Sequence, residues 1–399
     1  YMTVMTASDD QPWSVDAIYA TDLFDAPRVV TMLERFVAVL DAVTADPSQP
    51  LGDISLLTDV QADVVAAHES GPAMRIPSGS LADVVAAQVV RTPDTTALWF
   101  EGREVSYAEF SARVNTLARD LIAAGVGPEV AVALSIPRSV EMVVAIHAIV
   151  VSGGQYVPVD VSAPAERVGY MFDTAGVGVV LVSADTADVS AAQVGRDAGA
   201  RVIVVDASGS ADMSVRPVTD ADRIAPLRAD TAAYTLFTSG STGRPKGVTL
   251  SHAAVVNRLW WGLDELPIDD SDRVILKTPY TFDVSVPELF APLMVGATMV
   301  ILRDGGHLEP LYVADVIEQT RSTMVHFVPS MLSVFTEVVG EERIRALDSV
   351  RIISLTGEAV PPAVAADVRA WLPHIQFYNL YGPTEAAIEI TYEDIREVE

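Results

Sequence analysis

The sequence predicts an α/β protein built on mostly parallel sheets with helices on both faces. From about residue 80 onwards, short Val-rich apolar segments alternate with longer amphipathic segments, which is the pattern of βα units. No repeat of fixed period interrupts this alternation. The chain has 399 residues, of which 50% are apolar, so it can bury a sizeable core and form two or three domains.

Residues 1–62 precede this alternation and differ from it. Apolar residues recur at helical spacing over Leu23–Val43, and the turn-forming segment Asp46–Pro50 ends that pattern. A helix-start signal follows at Thr58. We expect residues 1–62 to be the tail and linker of an upstream domain, and residues 63–399 to form the main domain.

The periodicity then predicts individual elements. The predicted helices are Ser80–Val90, Ser106–Ala123, Ser139–Val151 and Glu166–Ala175. The predicted strands are Thr96–Phe100, Glu104–Ser106, Val130–Leu134, Tyr156–Val159, Val177–Val182 and Val202–Val205. The alternation resumes after residue 230, so we expect two similar α/β subdomains with the ligand at the ends of the strands.

Composition and charge exclude several classes of function. The chain has 26 Lys and Arg against 54 Asp and Glu, a net charge of −28, which disfavours binding to nucleic acid or to an anionic membrane. The absence of cysteine excludes disulfides, thiolate metal sites and a cysteine nucleophile. The most apolar segment, Val140–Val151, is shorter than the ~20 residues that a bilayer requires. No signal peptide is visible, so we expect a cytoplasmic protein.

A glycine-rich loop is the most informative segment. An apolar strand beginning at Tyr234 continues into small hydroxyl and glycine residues and reaches Lys246. Backbone N–H groups, hydroxyls and a lysine are typical ligands of phosphate oxygens. The loop differs from the P-loop pattern G-x-x-x-x-G-K-S/T, because Pro245 stands at the second glycine and Gly247 follows the lysine.

The ten residues Thr238–Gly247 resemble the nucleotide-binding loop of adenylate-forming enzymes, T-S-G-S/T-T-G-x-P-K-G, without a mismatch. Four other segments resemble, in the family's order, signatures of its nonribosomal peptide synthetase adenylation branch: Val105–Phe110, Gly153–Asp160, Phe282–Ser285 and Asn379–Glu385. The resemblance implies the adenylate-forming-enzyme fold, with two doubly covered mixed sheets and a small β region. The family's later motifs are not found, so the resemblance implies the large core subdomain without the C-terminal small subdomain.

The resemblance implies that the chain binds ATP and Mg²⁺. Lys246 would hold the β- and γ-phosphates, Tyr381 would stack on adenine, and Glu385 resembles the family's Mg²⁺ ligand. Lys246 and Glu385 are therefore the residues that we expect to act in catalysis. The other nucleotide-binding residues that the resemblance implies are Thr238, Ser239, Gly240, Ser241, Thr242, Gly243, Gly357, Glu358, Ala359, Asn379, Gly382 and Thr384.

Asp283 indicates the kind of substrate. A free α-amino acid brings an ammonium group into an apolar pocket, and burying that charge unpaired is costly, so a carboxylate partner is needed. In the resembling family, the aspartate of F-D-x-S holds the amino group. The pocket positions that carry over are Asp283, Val284, Pro287, His326, Ser354, Thr356, Leu380, Ile388 and Glu389.

This set is small to medium in volume and partly polar, and it resembles the pattern of serine-activating domains. Two departures, Pro287 and Glu389, leave an α- or β-substituted serine open. A short diamino acid or ornithine paired with Glu389 is the main competitor. Two other functions stay open: an acyl- or aryl-CoA ligase, which Asp283 disfavours, and a non-catalytic core that binds neighbouring domains or an MbtH-like protein.

The reaction that the resemblance implies is attack of the amino-acid carboxylate on the α-phosphorus of ATP. The aminoacyl group would then pass to the phosphopantetheine thiol of a carrier protein. Residues 1–62 resemble the end of a condensation domain, so carrier and condensation domains of one assembly line are the expected partners. Because the C-terminal motifs are missing, we expect binding of ATP and amino acid with slow adenylation.

Overall fold

A computed structural model describes residues 2–5, 14–69, 71, 73–205, 216–239 and 244–396. The chain divides into two compact units, residues 1–75 and 76–399. The first unit contains an antiparallel pair of strands, β1 (Met2–Met5) and β2 (Ser14–Ala17), and the helices α1 (Ala26–Ala45) and α2 (Asp59–Glu69). The assignment of residues 1–62 to a condensation-domain tail stays a prediction.

The second unit contains eleven helices and fourteen strands within the described residues. The helices are α3 (Leu81–Arg91), α4 (Tyr107–Ala123), α5 (Val140–Ser152), α6 (Ala165–Ala175), α7 (Ser190–Asp197), α8 (His252–Glu265), α9 (Ser285–Val295), α10 (Pro310–Thr320), α11 (Pro329–Val339), α12 (Glu341–Arg345) and α13 (Pro362–Trp371). The strands are β3 (Thr96–Phe100), β4 (Arg103–Ser106), β5 (Ala131–Ser135), β6 (Gln155–Pro158), β7 (Val179–Ser183), β8 (Arg201–Val205), β9 (Ala232–Thr238), β10 (Lys246–Ser251), β11 (Arg273–Leu276), β12 (Thr298–Ile301), β13 (Met324–Phe327), β14 (Ile352–Leu355), β15 (Gln376–Tyr381) and β16 (Thr391–Asp394).

These strands form two mixed sheets. The six-stranded sheet has the order β10-β9-β6-β5-β7-β8, and its pairs are parallel except that of β10 with β9. The eight-stranded sheet has the order β16-β15-β14-β13-β11-β12-β3-β4 and is antiparallel only at its two edge pairs. The carboxyl ends of the parallel strands β13, β14 and β15 therefore lie side by side.

Helices cover both faces of each sheet. The largest core cluster joins α3, α4, α5, α8 and α9 to one face of each sheet, so these helices form a shared middle layer. Helices α6 and α7 cover the outer face of the six-stranded sheet, and α10, α11 and α13 cover that of the eight-stranded sheet. This five-layer arrangement confirms the predicted α/β fold with two doubly covered mixed sheets.

Local sequence signals explain where the helices start. The side chains of Ser80, Ser106, Ser139 and Ser251 each accept a hydrogen bond from the backbone N–H three residues later. This N-cap contact replaces one of the hydrogen bonds that the first turn of a helix lacks. The helices predicted from Ser80, Ser106 and Ser139 begin at the residue after each serine, as this capping requires.

Chain order crosses between the two sheets. Strand β3 pairs with β12 in the eight-stranded sheet, although it precedes the six-stranded sheet in sequence. Strands β9 and β10, which come much later in the sequence than β6, join the six-stranded sheet through β6. Such long-range pairing leaves no local mark in the sequence.

Within the described residues, no helix is both long and apolar enough to cross a membrane.

Candidate active site

The carboxyl ends of three parallel strands contribute residues to one cavity, and those from β13 and β14 include polar side chains. His326 on β13 stands in register with Ser354 on β14, and Ser354 stands in register with Tyr378 on β15. Apolar residues surround these positions along each strand, so His326 and Ser354 are buried beneath the sheet's carboxyl edge. Ligands of open α/β sheets bind at this edge.

We call this cavity the side-chain pocket. Its volume is about 50 Å³, room for roughly three to five water-sized groups at 10–15 Å³ each. Six of the nine predicted substrate-binding residues line it: Val284, Pro287, His326, Ser354, Leu380 and Glu389. Helix α8 supplies further lining residues that the sequence reasoning did not predict, including Arg258 and Gly262.

The remaining three predicted residues lie outside the lining. The Thr356 hydroxyl donates to the backbone carbonyl of Leu380 at 2.8 Å, so it joins β14 to β15 rather than facing the cavity. Ile388 is 1% exposed and belongs to the core between the sheets. Asp283 is half-buried just before α9.

A buried ion pair closes one side of the side-chain pocket. The guanidinium of Arg258 contacts Oε2 of Glu389 through Nε at 2.8 Å and Nη2 at 2.7 Å. The two side chains are only 7% and 2% exposed, and the guanidinium also lies 4.8 Å from the ring centre of Trp261. A Cβ at Gly262 would come within 2.4 Å of Nη1 of Arg258, so the glycine makes room for the cation. Charges buried this deeply require such pairing.

The backbone before Glu389 explains how this carboxylate turns inward. Ala387 and Ile388 both have positive φ angles, of 63° and 81°. A positive φ is especially unfavourable for a β-branched residue such as Ile388. At Gly382, a Cβ would lie 2.4 Å from Cα of Glu389, so only glycine permits the two segments to approach. Strain of this kind persists where the surrounding structure fixes a functional geometry.

His326 is neutral and has one ring nitrogen without a partner. Its Nδ1 lies 3.2 Å from Oγ of Ser354, whereas its buried Nε2 has no hydrogen bond to any described residue. Burial lowers the pKa of His326 well below the ordinary value, and the positive charges of Lys277 and Arg258 lower it further. The pocket therefore contains a neutral imidazole that can accept or donate one more hydrogen bond.

A second pair of opposite charges, Lys277 and Glu288, lies at the pocket, and Glu288 is one of its lining residues. Burial lowers the pKa of Lys277 to about 8, and the carboxylate of Glu288 opposes that shift. Glu288 accepts hydrogen bonds from the backbone N–H groups of Lys277 and Thr278 and from the Thr278 hydroxyl, at 2.8 to 2.9 Å. The ammonium of Lys277 lies 4.7 Å from the ring centre of Phe327. Glu288 is therefore fully engaged by the protein.

Asp283 differs from these paired carboxylates. Burial raises its pKa above the ordinary value, hydrogen bonding from Thr384 opposes the rise, and the nearby carboxylate of Glu385 adds to it. Within the described part of the chain, Asp283 forms no ion pair. An incoming ammonium group would stabilise its charged form.

Several of the predicted nucleotide-binding residues lie around the junction of β9, β10 and the 384–386 turn. Thr238 ends β9 and stands in register with Lys246, the exposed first residue of β10. Ser239 is exposed, and the 384–386 turn lies against β10. The predicted contacts of Gly240, Ser241, Thr242 and Gly243 lie outside the described residues.

The predicted adenine-binding residues follow β14 and lie on β15. Gly357, just after β14, has a φ of 92°, and the exposed Glu358 beside it accepts a hydrogen bond from the Ser330 backbone N–H at 3.0 Å. Ala359 is exposed, Asn379 is half-buried, and Tyr381, the last residue of β15, is 67% exposed. An exposed tyrosine ring at a strand end is available for stacking.

The groups around Glu385 fit a magnesium ion. Glu385 is exposed on the 384–386 turn and forms no hydrogen bond or ion pair with another described residue. The negative charge of Glu385 repels that of Asp283 and raises the pKa of Asp283. A divalent cation near Glu385 would weaken this repulsion. Mg²⁺ typically takes one or two carboxylates together with phosphate oxygens and water. We call Lys246, Tyr381 and Glu385 the nucleotide face.

Sequence reasoning missed Arg258, Lys277 and Glu288. Two signals could have indicated Arg258: it is a lone cation in an apolar part of α8, and Gly262 interrupts that helix four residues later. A glycine within a helix is unfavourable, so it suggests a packing requirement. Nothing local connects Arg258 to Glu389, which is 131 residues away in sequence.

A family model described as AMP-binding enzyme matches residues 85–399. The chain belongs to this family of AMP-binding enzymes. Phosphinothricin tripeptide synthetase PhsB of Streptomyces viridochromogenes is 38% identical to it, over 94% of this chain and 31% of that protein. Tyrocidine synthase 3 of Brevibacillus parabrevis is 32% identical, over 94% of this chain and 6% of that protein.

Solved structures agree with this placement. The nonribosomal peptide synthetase FmoA3 in its AMPPNP-bound form has a TM-score of 0.81 and 26% identity, over 94% of this chain and 39% of that one. Its alpha-methyl-L-serine-AMP bound form has a TM-score of 0.81 and 25% identity, over 94% and 41%. Within the AMP-binding enzymes, the chain is therefore an adenylation domain of the nonribosomal peptide synthetase type, and by class an amino-acid-adenylating ligase. It spans less than a third of each curated relative named above.

Proposed function

We propose that this chain activates serine or a modified serine as its aminoacyl-AMP. The observation that carries the proposal is Asp283, the carboxylate beside the side-chain pocket that has no cationic partner among the described residues. Glu389 faces Arg258 and Glu288 is engaged by Lys277 and Thr278, so Asp283 is left for the α-ammonium group. One of the similar structures is named for bound alpha-methyl-L-serine-AMP, which supports a small hydroxylated substrate.

In the proposed reaction, a carboxylate oxygen of the amino acid attacks the α-phosphorus of ATP. A bond from this oxygen to phosphorus forms, the bond from the α-phosphorus to the bridging oxygen breaks, and pyrophosphate leaves. No general base is needed, because the carboxylate is already ionised. The protein contributes orientation and charge stabilisation.

The residues divide this work by location. Asp283 holds the α-ammonium group, and Lys246 with the loop from Thr238 to Gly247 holds phosphate oxygens. Tyr381 stacks on adenine at the end of β15. Glu385 would hold Mg²⁺, which supplies positive charge to the phosphates when bound. The side-chain pocket orients the substrate so that its carboxylate faces the nucleotide.

The proposal includes the partners of an assembly line. A carrier protein would accept the aminoacyl group on its phosphopantetheine thiol, and a condensation domain would precede residue 63. An MbtH-like protein is a further candidate partner. These partners follow from the relatives, which are named as synthetases, and from the resemblance of residues 1–62 to a condensation-domain end.

Thermal-shift measurements with ATP and Mg²⁺ test the proposal. Serine, α-methylserine, ornithine, benzoate and a short fatty acid would each be added at equal concentration. We expect the melting temperature to rise with serine or α-methylserine, because a ligand that binds only the folded state stabilises it. A rise only with benzoate or the fatty acid would show an acyl- or aryl-CoA ligase instead. No rise with any acid would contradict the proposed function.

A further inference from the structure

We propose that Arg258 determines the substrate specificity of the side-chain pocket: it occupies the Glu389 carboxylate, so the pocket accepts a neutral hydroxyl and rejects a second ammonium group. This inference rests on the proposed function and narrows its substrate class. Arg258 is not among the pocket positions that carry over from the resembling family.

The first observation is the geometry of the ion pair between Arg258 and Glu389. Both Nε and Nη2 of Arg258 contact the same carboxylate oxygen, Oε2 of Glu389, at 2.8 and 2.7 Å. Trp261 lies under the guanidinium and Gly262 leaves space beside it, so the cation is fixed by packing as well as by charge. Arg258 therefore already balances the charge of Glu389 before a substrate binds, which disfavours the diamino-acid alternative that the sequence left open.

The second observation is that positive charges of the protein lie close to the side-chain pocket. Lys277 and Arg258 both lower the pKa of His326, so two cations act on the pocket from the protein side. An additional substrate ammonium would be buried near both of them, with Glu389 already paired with Arg258. Glu288 acts on Lys277 and already accepts hydrogen bonds from Lys277 and Thr278. Like charges in a low-dielectric site repel strongly, so an ornithine or diaminopropionate side chain is disfavoured.

The third observation is the unpartnered Nε2 of His326. The imidazole is neutral and its Nδ1 faces Oγ of Ser354 at 3.2 Å, so Nε2 is an acceptor in one tautomer and a donor in the other. A hydroxyl group can satisfy either tautomer, because it both donates and accepts. A methyl group would leave Nε2 unpaired, and sites built to hydrogen-bond reject analogues that lack the group.

Calorimetric titration of the 399-residue chain with non-hydrolysable aminoacyl-adenylate analogues tests this inference. The analogues carry seryl, alanyl and 2,3-diaminopropionyl groups on one sulfamoyl-adenosine scaffold. We expect the seryl analogue to bind about tenfold or more tightly than each of the other two. Equal affinity for the seryl and diaminopropionyl analogues would overturn the inference. If none of the three bound more tightly than adenosine, the proposed function itself would fail.

Variants isolate the role of Arg258. Arg258→Met frees the Glu389 carboxylate, so the seryl preference over diaminopropionyl should reverse, whereas Arg258→Lys should retain it. In the double variant Arg258→Met with Glu389→Gln, no buried charge is left alone and the preference should not reverse. An unchanged ratio in a folded Arg258→Met variant would overturn the inference. If that variant does not fold, the ratio of the seryl and diaminopropionyl affinities of the unchanged chain still tests the inference, because equal affinities would overturn it.

His326→Leu tests the hydroxyl contact separately. This substitution removes Nε2 and keeps a similar volume, so the seryl and alanyl analogues should bind within about threefold of each other. A retained tenfold preference for the seryl analogue would show that another group binds the hydroxyl. The diaminopropionyl analogue should stay disfavoured in this variant, because Arg258 still occupies Glu389.

Discussion

The side-chain pocket and the nucleotide face belong to one unit and are built in opposite ways. In the pocket, Arg258 and Glu389 pair below the surface, and His326 faces Ser354. On the nucleotide face, Lys246, Tyr381 and Glu385 are exposed. The difference shows where each site obtains its charge balance. The protein itself balances the charges of the pocket, whereas in the proposed assignment the phosphates and Mg²⁺ of the ligand would balance those of the nucleotide face.

The largest expected effect is on the free energy of unfolding, which should respond differently to substitutions in the side-chain pocket and on the nucleotide face. Glu389→Ala leaves the Arg258 guanidinium buried without a partner and should lower the free energy of unfolding by about 3–5 kcal/mol. Lys246→Ala removes an exposed charge and should change it by less than about 0.5 kcal/mol. Urea unfolding monitored by circular dichroism measures both. Equal losses in the two variants would contradict the assignment of a pre-balanced pocket.

A smaller effect separates binding of the amino acid from binding of ATP. Asp283→Ala removes the proposed partner of the α-ammonium group and should weaken binding of the seryl-adenylate analogue by about 2–5 kcal/mol. ATP–Mg²⁺ affinity should stay within about twofold, since Asp283 belongs to the amino-acid side. Asp283→Asn is the matched control, because it keeps the shape and removes the charge. Unchanged affinity for the analogue in both variants would show that another group binds the ammonium.

On the nucleotide face, Lys246→Ala should weaken ATP binding by about tenfold to a hundredfold, since one charge-assisted hydrogen bond is worth about 1.5–3 kcal/mol. The neighbouring Arg244 is the control, because its guanidinium lies 5.9 Å from the ring centre of Tyr170. Arg244→Ala should therefore have the smaller effect. Titration of ATP–Mg²⁺ at two salt concentrations measures both variants. A larger loss at Arg244 would reverse the assignment of the phosphate ligand.

The smallest expected effect concerns adenine. Tyr381→Ala removes the exposed ring at the end of β15 and should weaken ATP binding by about 0.5–1.5 kcal/mol. Tyr381→Phe keeps the ring and should bind ATP as the unchanged chain does. Equilibrium titration with a fluorescent ATP analogue compares the two variants. If Phe and Ala weakened binding equally, the hydroxyl rather than the ring would be the important group.

The sequence predicted these regions unevenly, for physical reasons. The nucleotide loop is contiguous from Thr238 to Gly247, so its chemistry is visible in ten adjacent residues. Serine caps and Val-rich segments are also local, and such patterns predicted the helices and strands between residues 80 and 205 except α7. Pairing of β3 with β12 depends on distant contacts, and no local pattern encodes it.

The pocket shows the same limit at the level of single residues. The positions of the motifs predicted that Glu389 and His326 are substrate-binding residues, and both line the side-chain pocket. Their charge states depend on Arg258 and Lys277, which come from other elements and lie far away in sequence. For this reason the sequence left serine and diamino acids as competing substrates, and we propose that the ion pair distinguishes them.

A crystal structure of the chain with the seryl-adenylate analogue would show directly which groups hold the substrate. We expect the α-ammonium group within hydrogen-bond distance of Asp283, the side-chain hydroxyl at Nε2 of His326, and adenine stacked on Tyr381. The Arg258–Glu389 pair should remain intact, since the ligand does not need either group. An ammonium group placed on Glu389, or an adenylate bound away from Tyr381, would contradict these assignments.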